Sequence, residues 1–127
     1  MARTITVAAA HLAPVFMDAA ATAAKAAEWI GRAKREGASL VVFPEVFLPG
    51  FPYWINCYPP LAQAAMNRRY QDQSVEVDGP EVALLCQAAR EHGVAVVMGV
   101  VASMDAGLFD RVLHGWAPCA AASGVER

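Results

Sequence analysis

Apolar residues along this chain fall into two alternating patterns, short continuous runs and a helical repeat. Thr4 to His11 (TITVAAAH) is short and β-branched at its start, which predicts a buried strand. From Asp18 to Glu36 the residues Ala23, Ala26, Ala27, Ile30 and Ala33 recur at helical spacing, a narrow stripe of small side chains. Asp18 suits the N-cap of that helix and Gly37 the position just past its end. Glu28, Arg32 and Glu36 form i,i+4 pairs on its polar side, worth about a few tenths of a kcal/mol each. Leu40 to Phe43 is then apolar at every position, the pattern of a strand covered on both faces of a parallel sheet.

Pro44, Pro49, Pro52, Pro59 and Pro60 forbid a regular element over the next stretch. Leu61 to Tyr70 reads as a short helix. Pro80 suits the first helical position of another, with Glu81 favourable in its first turn. Val82, Leu85, Cys86 and Ala89 give that helix a buried face, and Gly93 ends it. Val94 to Val101 is a further continuous apolar run. The order β-α-β-loop-α-α-β predicts an α/β fold in which helices cross between parallel strands.

Composition narrows the class. The chain has 127 residues, 57% of them apolar, with much of the excess alanine, and only 17% charged. That is too apolar and too weakly charged for a disordered chain. A formal net charge of −2, with no block of Lys or Arg, argues against nucleic acid as a partner. Val94 to Ala102, the longest apolar stretch, is about half of what a membrane span needs, so no membrane partner is expected. Pro14 interrupts the first apolar run before it takes a signal-peptide shape. Three cysteines, an odd number, read as free thiols of a reducing compartment, with the cytoplasm as the expected location.

The stretch Gly37 to Trp54 (GASLVVFPEVFLPGFPYW) carries the chemistry. Glu45 lies two residues past the last position of a buried strand, where side chains of open α/β sheets face a crevice. Phe43, Val46, Phe47, Phe51 and Trp54 around it would desolvate the carboxylate and raise its pKa toward the range of a working general base. On position alone, a solvated loop residue or an N-terminal helix charge is the commoner reading of such a glutamate.

The same stretch resembles the glutamate motif of the nitrilase, or carbon–nitrogen hydrolase, superfamily. The residues that carry the likeness are Gly37, Leu40-Val41, Phe43, Glu45, Leu48, Gly50, Phe51 and Pro52, with Phe51 standing where tyrosine is usual. His11, Pro14 and the block Ser74 to Glu81 extend it, and Tyr53-Trp54 with that block look most like nitrilases proper. The resemblance implies the N-terminal part of an α-β-β-α sandwich. It also implies hydrolysis of a nitrile or small amide to acid and ammonia by Glu, Lys and Cys, without metal or organic cofactor. A cysteine thiolate attacks the carbon, a glutamate is the base, and a lysine stabilises the charge that develops. Carried over, Glu45 takes the base position, and Phe51, Tyr53 and Trp54 are candidates for the substrate pocket.

The likeness covers residues 4 to about 113, which sets the expected domain at 1–113 and leaves 114–127 as an unassigned tail. The family places its lysine and cysteine after the glutamate. Here the only lysines, Lys25 and Lys34, precede Glu45, and Cys57, Cys86 and Cys119 lack the Trp-acidic context of the nucleophile. Cys86 and Cys57 therefore read as packing residues, and His11 as a core histidine at a strand end. The spacing of His11, His92 and His114 from the cysteines does not suit a zinc site. The expectation is a hydrolase fragment inactive by itself, whose uncovered sheet favours a homo-oligomer. The abrupt loss of family character at His114 further suggests a broken reading frame. Two other readings stay open: a non-catalytic binding or assembly module with the first half of the fold, and an unrelated α/β domain.

Overall fold

The computed structural model describes residues 4–104, 107–115 and 122–124, with side chains through Ala102. One five-stranded sheet runs in the order β1-β2-β3-β4-β5, with β1 at Val7–Ala9, β2 at Leu40–Val42, β3 at Ala95–Met104, β4 at Gly107–Gly115 and β5 at Ala122–Gly124. The first three strands are parallel, in the register Ala8–Val41–Val96, and the last two are antiparallel. This is the expected α/β class. No element is expected from His114 on, yet β4 extends to Gly115 and β5 pairs with it. Trp116 and Cys119 lie outside the described residues.

Helix α1 spans Ala19–Arg35, and Asp18 caps it by accepting from the Ala21 N–H at 2.8 Å. Helix α2 covers Ala64–Asp72, entered through a 3-10 turn at Pro60–Gln63, so the short helix expected from Leu61 starts tighter and ends later. Helix α3 spans Pro80–His92 and ends at Gly93, whose φ of 60° is the left-handed cap that glycine takes without a Cβ clash.

Helices α1 and α3 pack together over one sheet face. There Ala23, Ala26 and Ile30 meet Val82, Leu85 and Ala89, with Val41, Val96, Met98 and Val100 beneath them. The small stripe on α1 lets α3 approach closely: at Gly31 a β-carbon would lie 2.8 Å from His92 Nε2. On the outer side Arg32 pairs with Glu36 at 3.2 Å and lies 4.5 Å over the Trp29 ring.

The opposite sheet face differs from expectation. Val41 is buried, but its neighbours Leu40 and Val42 are only half-buried, and Val7 is half exposed. A smaller cluster of Met17, Val46, Trp54, Tyr70 and Val101 covers this face near the carboxyl end of β3. Continuous apolarity in β2 thus marks a strand that could be covered twice, whereas here helices cover one face. Cys86 also departs from its reading as a free thiol: it is half-buried and disulfide-bonded. As expected, its side chain packs against the core under α1 and α3.

Candidate active site

Beyond the carboxyl ends of β1 and β2 the chain forms two loops, one after each strand, and a cleft of about 580 Å³ opens between them. The loop after β1 contributes His11, Leu12, Ala13, Pro14 and Phe16; the loop after β2 contributes Pro44, Glu45, Val46, Phe47, Phe51 and Tyr53. Apart from Glu45 and His11 the walls are largely apolar or aromatic. That suits a small organic molecule oriented by a few polar groups.

Each wall is tied down by named hydrogen bonds. Thr22 on α1 holds Val15, Lys25 Nζ donates to the Ala13 carbonyl at 2.7 Å, and Met17 N–H donates to the Pro49 carbonyl at 3.0 Å. The last of these joins the two loops. Gly50 (φ 115°) leaves room for the Phe16 ring, since a β-carbon there would lie 2.9 Å from it. Tyr70 of α2 donates its hydroxyl to the Gly50 carbonyl at 3.0 Å. Gln63 donates its amide to the carbonyls of Ile55 and Tyr58, bracing the proline-rich stretch from within.

Glu45 sits on a turn directly after β2 and is exposed at the cleft, not desolvated by the aromatics around it. Its neighbours pack away from it: Phe47 lies in the helix-side core and Val46 in the cluster on the other face, while Glu45 stays at the cleft. Phe51 and Tyr53 line the cleft with ring centroids 5.1 Å apart, and Tyr53 is 67% exposed. Trp54 does not line it. It is buried behind the wall against Phe16 and Tyr70, its indole N–H donating to Asn67 Oδ1 at 2.7 Å.

His11 is the residue that sequence reasoning misplaced. It is exposed and lines the cleft rather than the core. The available signal was its position two residues past β1, at the same sheet end as Glu45. Cys57 is exposed and free, neither packed nor in the cleft wall. Among the described residues no three His, Cys, Asp or Glu side chains are grouped to hold a metal ion. No helix there is long and apolar enough to cross a membrane.

The strand-end glutamate and aromatic cleft on a parallel sheet match one class of protein: this chain belongs to the carbon-nitrogen hydrolase family, whose model matches residues 6–113. It is similar to an aliphatic nitrilase of Rhodococcus rhodochrous, 47% identical over 98 residues that cover 76% of this chain and 27% of that protein. A bromoxynil-specific nitrilase of Klebsiella pneumoniae subsp. ozaenae is 37% identical over 99 residues, covering 78% of this chain and 28% of its own length. The chain therefore spans under a third of the length of these curated relatives. In fold it is similar to a CN-hydrolase superfamily protein of Xanthomonas campestris, with a TM-score of 0.65 at 21% identity, over 95% of this chain and 40% of that one. The fold is that of the N-terminal part of such a protein.

Proposed function

We propose that this chain supplies the base and part of the substrate wall of a nitrilase-type hydrolase, one that converts a nitrile or small amide to an acid and ammonia. The observation that carries the reading is Glu45 on the rim of an aromatic cleft at the carboxyl ends of two parallel strands. Its carboxylate is the proton acceptor for the attacking thiol and later for water, while Phe51 and Tyr53 receive the apolar part of the substrate. The nitrilase relatives support the nitrile as substrate.

The chain offers no lysine after Glu45, and Lys25 is committed to the Ala13 carbonyl at 2.7 Å. On its own, then, it turns over neither nitrile nor amide, and residues 1–113 form the hydrolase part. The second reading is a module that keeps the fold for binding or assembly.

A graft tests both. Residues 6–104 replace the matching stretch of the Rhodococcus rhodochrous aliphatic nitrilase, and ammonia release from a nitrile is measured. The graft should hydrolyse, and Glu45→Gln within it should lower kcat by about 100-fold or more, the usual contribution of a positioned acid or base. Full activity in the Glu45→Gln graft removes Glu45 as the base. Ammonia release by the 127-residue chain alone, lost in Glu45→Gln, overturns its inactivity.

A further inference from the structure

The registers on either side of Glu45 disagree. Val42 pairs with Val97, whereas Leu48, six residues on, bridges Val100, only three residues on. Three residues are therefore surplus on the Glu45 side, and the chain expels them as the turn that presents the carboxylate. The turn is pinned at both ends: Phe43 N–H donates to the Val97 carbonyl at 2.9 Å, and Val101 N–H to the Leu48 carbonyl at 2.9 Å.

Between those pins the turn lies directly on Gly99. A β-carbon at Gly99 would stand 2.6 Å from the Pro44 carbonyl oxygen, 2.6 Å from the Val46 nitrogen and 2.9 Å from the Glu45 α-carbon. All three are backbone atoms, so no rotamer change relieves the contact. Val46 closes the turn at φ 50°, a left-handed conformation that a β-branched residue adopts only when its surroundings impose it. Its side chain is buried with Met17, Trp54 and Tyr70, which holds the turn from the other side.

From this clamp we infer that Gly99 is a positioning residue for the Glu45 carboxylate. Any side chain at 99 lifts the Pro44–Val46 backbone off β3 and swings Glu45 in the cleft. A misplacement of about 1 Å can cost a reaction on the order of 100-fold, so the absent side chain has mechanistic weight. The inference rests on Glu45 being the base, but its test reads where the carboxylate is and not what it does.

The experiment uses the full 127-residue chain labelled with carboxyl-13C glutamate, with the Glu45 resonance assigned by Glu45→Gln. Gly99→Ala should move the Glu45 resonance while those of Glu28, Glu36 and Glu81 stay in place. Adding Val46→Gly, which frees the turn to re-form at a positive φ, should bring the Glu45 signal back toward its native position. An unmoved Glu45 signal in folded Gly99→Ala overturns the inference. So does unfolding that shifts every glutamate alike and that Val46→Gly does not reverse, because Gly99 would then serve packing alone. If Glu45→Gln leaves the graft active instead, the base assignment fails and the clamp stands.

Discussion

The Thr22 hydroxyl holds Val15 through the backbone: it accepts from the Val15 N–H at 3.0 Å and lies 2.9 Å from the Val15 carbonyl. The Asp18 carbonyl, at 2.7 Å, competes for its single proton. Thr22 is fully buried, so one small side chain anchors the loop that forms one wall of the cleft. Thr22→Val keeps the shape and strands the Val15 N–H. We expect a loss of about 1–3 kcal/mol, the cost of an unsatisfied buried donor. Urea unfolding should show it, and an unchanged midpoint would mean the loop finds another anchor.

Trp54 and Tyr53 are adjacent, yet their substitutions should act on different properties. Trp54→Phe removes the hydrogen bond to Asn67 in a buried cluster and should cost about 1 kcal/mol or more of stability. Asn67→Ala in that background should then add little, which a double-mutant cycle measures. Tyr53→Ala, at an exposed position, should change stability by no more than about 0.5 kcal/mol. Its effect should fall instead on the affinity of the cleft for aromatic nitriles, read by titration calorimetry.

Leu48 is fully buried and is the point where the expelled turn rejoins β3. Leu48→Ala empties a tightly packed position and should destabilise by about 2–5 kcal/mol. A small domain has about 5–15 kcal/mol in total, so the variant should melt well below the parent in a thermal scan.

The half-covered sheet face and the edge strand β1 expose Ile5 (63%) and Val7 (50%) to water. Such an edge is a template for another chain. We expect concentration-dependent self-association in sedimentation velocity, weakened by Val7→Lys. Equal association of both forms would point to a different surface.

Local patterns in the sequence were enough for the elements whose causes are local. Asp18 caps α1 and Gly93 ends α3 because each satisfies groups within a few residues of itself. The apolar runs at Leu40 and Val94 became neighbouring parallel strands, and the glutamate motif between Gly37 and Pro52 was legible as family likeness. The site was legible only in part. That Glu45 is exposed, that Trp54 faces the core and that His11 joins the cleft all depend on which strand lies beside which, and in what register. The contact between Gly99 and Glu45 shows why. It joins residues far apart in the chain through a three-residue mismatch between two strand pairings. Neither segment carries a mark of that mismatch by itself, because register is settled by the packing of whole strands under α1 and α3.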